Sequence, residues 1–338
     1  MRLLVTGGCG FIGTNFIRLM RSAHPDWSIV NLDLLTYAGN RLSLADLEAE
    51  DQGYRFEHGD IRDPKLVSSL LEEHHIEAVV NFAAESHVDR SIDNPAPFIS
   101  TNVQGAQTIL ECARRAGLAR VVHISTDEVY GTLGPQGLFT ESTPLAPNSP
   151  YSASKAGADL LCRAYVETYG MDVVVTRCSN NYGPYQFPEK LIPLMYLKAQ
   201  AVEPLPVYGD GMNIRDWIYV DDHCRGVELA LTKGRPGGIY NFGGNAEKTN
   251  LDVVRSMLSI LDRNENLITF VTDRPGHDRR YAMDFALAAE ELGFEPSLDF
   301  SQGLRKTVEW YKNNTDWLET VQSGEYRRFM GTWYEERS

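Results

Sequence analysis

The chain has 338 residues, 43% of them hydrophobic and 10% aromatic, enough for one large domain or two joined ones around a substantial core. A formal net charge of −14, from 46 acidic residues against 32 Lys plus Arg, excludes a general cationic footprint for nucleic acid. A few cations and N–H groups gathered in one cleft still suffice for a phosphorylated ligand.

No apolar run reaches the roughly eighteen residues needed to span a bilayer, so no membrane association is predicted. The start, Met1-Arg2-Leu3-Leu4-Val5-Thr6-Gly7, lacks the sections of a signal peptide and reads as a mature first strand. Cys9, Cys112, Cys162, Cys178 and Cys224 are scattered without a Cys-x-x-Cys. A disulfide frame or a metal site is not expected, and a reduced, cytoplasmic setting is.

In chain order, short apolar runs at 3–6, 29–32, 55–57, 78–81, 121–125 and 173–176 read as strands. Helical stretches at 11–22, 42–50, 64–75 and 97–116 lie between them, the last stopped by Gly117. Continuous apolar strands alternating with helices predict a parallel sheet covered on both faces. Past about residue 180 the rhythm changes, with Pro184, Pro188, Pro193, Pro204, Pro206, Gly209 and Gly211 close together. This predicts a smaller, mixed second lobe, with the substrate cleft between lobes. The division is drawn at 1–179 and 180–338, with segments near 221–242 expected to cross back.

Thr6-Gly7-Gly8-Cys9-Gly10-Phe11-Ile12-Gly13 follows the first strand and opens a helix. Glycines at 7, 10 and 13 suit a tight turn, close approach of backbone to a pyrophosphate, and tight helix–strand contact; the helix N-terminus offers free N–H groups. Alone, such a run is only a glycine-rich turn. Asp33 changes the reading. It ends the second strand, where a carboxylate accepts bonds from the adenosine ribose and disfavours a 2′-phosphate. NAD rather than NADP is therefore predicted, in a Rossmann-type doubly wound α/β sheet. Leu34 and Thr36 beyond Asp33, Asp60-Ile61 after the third strand and Phe82-Ala83-Ala84 after the fourth fall on the cofactor's path.

Tyr151-Ser152-Ala153-Ser154-Lys155 opens a further helix, and Tyr151 alone among 16 tyrosines has Lys four residues later. That spacing places both side chains on one face. A phenol titrates near pH 10; a nearby ammonium and the positive charge of NAD⁺ favour its anion, making it a base near neutrality. Thr126-Asp127-Glu128 ends the fifth strand, where ligands gather in such sheets. Water elimination needs an acid and a base, and two carboxyls pushed apart in pKa supply both.

Through these motifs the chain resembles the extended short-chain dehydrogenase/reductase family, and within it the dTDP-glucose 4,6-dehydratases, over essentially its whole length. The resemblance rests on the glycine turn, the run from Ala83 to Ser91, the run from Ser125 to Gly131, and Tyr151 with Lys155. Asn180 to Tyr185, Pro188 to Pro193, Arg215-Asp216-Trp217 and Asp273 to Asp278 extend it. Two departures are visible: Cys9 stands where the family usually has alanine, and the segment between Gly131 and Tyr151 is short.

The resemblance implies a lyase that oxidises the sugar at C4 with NAD, eliminates water across C5 and C6, and returns the hydride to C6. Tyr151 would be the base at the 4-hydroxyl, Lys155 would hold the cofactor ribose, Glu128 would take the C5 proton and Asp127 would protonate the 6-hydroxyl. Thr126 and Ser86 would contact the sugar, with Thr101 and Asn181 on the cofactor side. Asn180, Lys190, Leu191, Arg215, Asn250, Arg274 and His277 would hold the nucleoside diphosphate, with Pro206 and Tyr208 bordering the base. A homodimer through helices at 97–116 and 151–169 is implied too. A 4-epimerase or decarboxylase of the same fold, a dehydratase for another nucleotide hexose, and a non-catalytic NAD-binding regulator remain alternatives. The adjacent Asp127 and Glu128 argue against epimerisation, which needs no acid–base pair for water loss.

Overall fold

The computed structural model describes residues 1–273 and 275–322. Elements run β1 (Arg2–Thr6), α1 (Phe11–Ala23), β2 (Ser28–Asp33), α2 (Ala45–Glu50), β3 (Tyr54–His58), α3 (Pro64–Glu73), β4 (Ala78–Asn81), α4 (Val88–Asp93) and α5 (Ala96–Phe98). After them come α6 (Ala106–Ala116), β5 (Arg120–Thr126), α7 (Pro150–Tyr169), β6 (Val173–Cys178), β7 (Asn180–Tyr182), α8 (Leu191–Gln200), β8 (Leu205–Tyr208) and β9 (Ile214–Tyr219). The rest are α9 (Val220–Lys233), β10 (Ile239–Phe242), β11 (Glu247–Thr249), α10 (Asn250–Leu261), β12 (Ile268–Val271), α11 (Ala286–Leu292), α12 (Phe300–Asn313) and α13 (Thr315–Val321).

Seven parallel strands form the main sheet in the order β10-β6-β5-β4-β1-β2-β3. Strand order reverses between β1 and β4, so a crevice opens there at the strands' C-terminal ends. The pleat explains the continuous apolar runs. Leu3 and Val5 face α1 and α9, packing with Phe16, Ile17, Met20 and Val227. Leu4 points the other way, toward Val67 and Leu71 of α3, Ile109 of α6 and Cys162 of α7. From Leu3 to Thr6 every residue of β1 is buried, so alternation disappears from the sequence.

The helix expected over 97–116 is divided. Ile99–Gly105 forms a wide π-helical turn between α5 and α6. There Asn102 accepts from the Glu85 N–H at 2.8 Å and donates to the Glu85 carbonyl at 3.0 Å and Ser154 Oγ at 2.8 Å, tying the loop after β4 to α7. The stop at Gly117 is a left-handed C-cap, φ +63°. At the start of α7, Ser149 and Ser152 form a reciprocal capping box with Pro150 in the first turn.

A second core gathers Tyr182, Tyr196, Leu205, Trp217, Met257, Leu258, Leu304 and Tyr311. Two small sheets accompany it, β11-β9-β7 and β12-β8. Sequence periodicity missed these strands because each is only three to six residues long.

Candidate active site

The glycine loop is held from below. Gly7 N–H donates to the Leu32 carbonyl at 2.9 Å, Gly8 N–H to Asn31 Oδ1 at 3.1 Å and Cys9 N–H to Asp33 Oδ2 at 2.9 Å. Gly7 has φ +70°, and a Cβ there would lie 2.6 Å from the Ala83 nitrogen. A Cβ on Gly13 would lie 2.4 Å from the Gly7 carbonyl oxygen. Gly10 caps α1 without any side-chain bond, leaving the first-turn N–H groups to a ligand. These features fit a dinucleotide. A bare backbone surface faces the crevice, and the helix dipole favours phosphate there.

One cleft is lined by Gly7, Gly10, Phe11, Ile12 and Gly13 from this loop, and by Asp33, Leu34 and Thr36 beyond β2. Asp60 and Ile61 after β3, Phe82, Ala83 and Ala84 after β4, Thr101 in the π-helical turn and Asn181 in β7 line it as well. Burial raises the Asp33 carboxyl from its ordinary value, while N–H bonds from Leu35 and Cys9 oppose the shift. Cys9 packs as a small buried group, its thiol pushed up to about 12 mainly by burial. A thiol so buried and so far from ionising has little nucleophilic reactivity.

The same cleft contains Thr126, Asp127, Glu128, Tyr151 and Lys155. Tyr151 and Lys155 lie one turn apart on α7 and both are buried. Burial, then the Glu128 carboxylate, pushes the Tyr151 phenol well above its ordinary range, and a hydrogen bond with Thr126 opposes this. Lys155 Nζ donates to the Ile124 carbonyl at 2.6 Å, and burial lowers its pKa against the pull of Asp159. Asp127 is 2% exposed, and its Oδ2 has no hydrogen-bond partner. Burial first, then Glu128, lifts its carboxyl well above the ordinary value. A carboxyl raised by burial beside a second carboxyl is an arrangement that suits an acid–base pair.

Ser86, Asn180, Lys190 and Leu191 also border the cleft, with Lys190 Nζ donating to the Ser86 carbonyl at 2.9 Å. Pro206, Tyr208, Arg215, Asn250 and His277 lie off its lining. Arg215 donates to the Asp278 carbonyl at 2.9 Å, stacks over Tyr281 at 4.2 Å and still attracts the Asp127 carboxyl. Tyr208 donates to Asp89 Oδ2 at 3.1 Å and meets the His277 ring edge-on at 6.1 Å. Asn250 opens α10, its N–H donating to the Asn213 carbonyl at 3.0 Å. Arg274 lies outside the described residues. The cleft adds groups that sequence reasoning did not single out, among them Glu85, Gln186 and the buried Glu189. Only their place in the runs 83–91 and 188–193 hinted at Glu85 and Glu189. Among the described residues no group of His, Cys, Asp or Glu is placed to hold a metal ion.

A family model described as GDP-mannose 4,6 dehydratase matches residues 4–307. A dTDP-glucose 4,6-dehydratase from Xanthomonas campestris pv. campestris is 54% identical, over 96% of this chain and 97% of its own length. A dTDP-glucose 4,6-dehydratase from Streptomyces venezuelae, solved with NAD and TYD bound, superposes with a TM-score of 0.92 at 53% identity, covering 95% of this chain and all of that one. A UDP-glucose 4-epimerase from Thermotoga maritima superposes with a TM-score of 0.87 at 27% identity, covering 93% of this chain and all of that one.

Proposed function

The chain belongs to the nucleotide-sugar dehydratase family described as GDP-mannose 4,6 dehydratase, and from that premise we propose that it converts dTDP-glucose to dTDP-4-keto-6-deoxyglucose and water. Its relatives at about half identity over nearly full length carry that activity in their names. The observation that carries the reading within the site is Asp127, buried with a free carboxyl oxygen next to Glu128 in the cleft that holds Tyr151.

NAD, when bound, supplies the hydride acceptor and donor. Gly7, Gly10 and Gly13 would admit its pyrophosphate, and Asp33 would receive the adenosine ribose hydroxyls. Tyr151 removes the 4-hydroxyl proton, with Thr126 beside it in the same cleft. Burial works against the phenolate; the positive charges of Lys155, one helical turn away, and of NAD⁺, when bound, would offset it. Once C4 is a ketone its neighbour C5 is acidic, and Glu128 takes that proton. Asp127 gives its proton to the departing 6-hydroxyl, and water leaves. Glu128 then returns its proton to C5 as C6 receives the hydride. The proton gained by Tyr151 balances the one lost by Asp127, so the net change is one water.

Mass spectrometry of the sugar nucleotide after incubation with dTDP-glucose and NAD⁺ tests this directly. Loss of one water with no net NADH is expected; an unchanged mass with inverted C4 would instead make the chain an epimerase.

The chain works as a homodimer through the face made by the π-helical turn, α6 and α7. Ile99 and Leu160 are 50% and 58% exposed there, and Ala96, Val103 and Leu161 line an apolar groove beside them. An apolar face of this kind, on rigid helices, suits a second copy of itself. A concentration-independent monomer in sedimentation would contradict this. The working compartment is the cytoplasm, a setting with which the five free, buried thiols agree. No helix among the described residues is long and apolar enough to cross a membrane.

A further inference from the structure

The segment from Asp278 to Met283 belongs to none of the numbered helices or strands, yet it is bonded on two sides. Toward β9, the Ile214 N–H donates to the Arg279 carbonyl at 2.9 Å and the Tyr281 N–H to the Ile214 carbonyl at 3.1 Å. Toward the loop that follows Glu128, the Arg280 carbonyl accepts from the Leu133 N–H at 3.0 Å and the Ala282 carbonyl from the Phe139 N–H at 2.8 Å.

Asp278 heads this segment and is 8% exposed. Its Oδ1 accepts from Asn148 Nδ2 at 2.6 Å, and its Oδ2 accepts from the Tyr281 hydroxyl. Its main-chain carbonyl accepts from Arg215 Nη2 at 2.9 Å and from Asn213 Nδ2 at 3.2 Å. The Arg215 guanidinium lies over the Tyr281 ring at 4.2 Å, and its Nη1 donates to the Ile214 carbonyl at 2.7 Å. Asn148 immediately precedes Ser149, the cap of α7, and stands three residues before Tyr151.

Two donors from separate parts of the chain thus converge on one carboxyl. A carboxylate is needed for that: both of its oxygens accept, whereas the amide of asparagine would turn a second donor toward one of the partners. The two bonds also join places of different use. One reaches the entry to the helix that carries Tyr151, and the other holds the ring beneath Arg215. We propose that Asp278 is a positioning residue that fixes the Arg215 guanidinium and the Tyr151 end of α7 relative to each other, so that one carboxylate aligns the diphosphate and the 4-hydroxyl of the substrate. This rests on the functional reading above, in which Arg215 meets the diphosphate and Tyr151 the 4-hydroxyl.

The two arms can be cut separately. The variants are Asp278→Asn, Tyr281→Phe, Asn148→Ala, and Asn148→Ala combined with Tyr281→Phe, each in the whole chain loaded with NAD. Two quantities are read: dTDP affinity by calorimetry, and the rate at which bound NADH forms at saturating dTDP-glucose. Tyr281→Phe keeps the ring under Arg215 but releases it from Asp278, so it should weaken dTDP binding more than it slows NADH formation. Asn148→Ala should do the reverse. Asp278→Asn should do both, each by about tenfold or more, the worth of a hydrogen bond to a charged group. A purely structural Asp278 would lower stability in urea and leave both quantities unchanged in the folded protein; that result overturns the proposal. Equal losses in both quantities from each single-arm variant overturn it as well. If Asp278→Asn fails to fold, the combined variant takes its place; it should show both losses, and keeping either quantity intact overturns the proposal. If the unaltered protein binds dTDP but leaves dTDP-glucose unchanged, the functional reading fails, while the dTDP affinities of Asp278→Asn and Tyr281→Phe still decide whether Asp278 positions Arg215.

Discussion

The glycine loop supports a sharp expectation, because its glycines are needed for different reasons. At Gly7, alanine meets two obstacles. The left-handed backbone (φ +70°) costs an L-residue about 1–2 kcal/mol. The new methyl lies 2.6–2.9 Å from backbone atoms of Phe82 and Ala83, which cannot rotate away, and overpacking of that kind costs about 1–3 kcal/mol. Loss of unfolded-state freedom returns about 0.4–1 kcal/mol. Gly7→Ala should therefore lose about 1–5 kcal/mol, a large share of the roughly 5–15 kcal/mol that holds a domain folded. Gly10 differs. Its φ is −77°, and a methyl there meets only the Gly7 carbonyl oxygen at 3.3 Å, so the fold should change by under about 1 kcal/mol. The methyl would instead occupy the space that a pyrophosphate needs. Urea unfolding of both variants without cofactor, with NAD affinity by calorimetry, separates the two effects. Equal destabilisation by both, or full NAD affinity in Gly10→Ala, would refute the reasoning.

Further expectations concern the chemistry and the assembly. Asp127→Asn keeps the side chain's shape but has no acid proton, so water loss should slow about 10²–10⁴-fold while bound NADH builds up at 340 nm. Because folding raises the Asp127 value, the folded state holds a proton that the unfolded chain has lost; stability is full below the unfolded value and falls as pH rises through the folded one. The same variant should therefore melt above the unaltered protein, by a margin that widens as pH rises above the ordinary carboxylate range. Tyr151→Phe should bind NAD yet form no NADH with dTDP-glucose, and stalling at the same step as Asp127→Asn would undo the assigned roles. Leu160→Glu, on a face 58% exposed in one chain, should sediment as a monomer of unchanged melting cooperativity.

Much of the molecule was legible from neighbours along the chain. Parallel strands such as Val121–Thr126 announce themselves because both of their faces are buried. Gly7, Gly10 and Gly13, with Asp33 at the next strand end, are legible because a turn and a strand terminus are local geometry. Tyr151 with Lys155 is legible because a helix converts a spacing of four into a shared face. Cleft membership for these residues then followed from the C-terminal ends of parallel strands lying on one edge.

What the sequence left open are pairings across distance. Periodicity treated 97–116 as one helix, since the π-helical turn at Ile99–Gly105 follows from where Asn102 must reach rather than from composition. The short β7, β9 and β11 exist only because they pair with each other. Asn31 beneath Gly8, Glu189 in the cleft and Arg177 against Asp159 are polar residues that look like surface groups until the fold buries them. The same burial lifts the Asp127 carboxyl above its ordinary value, a property absent from its identity. By itself, then, the sequence determined the sheet, the glycine loop and the residue types proposed for the reaction, because local spacing suffices for each. Only the tertiary structure decided which charges lose water and which face each other, because desolvation and partnership depend on chain segments brought together from far apart.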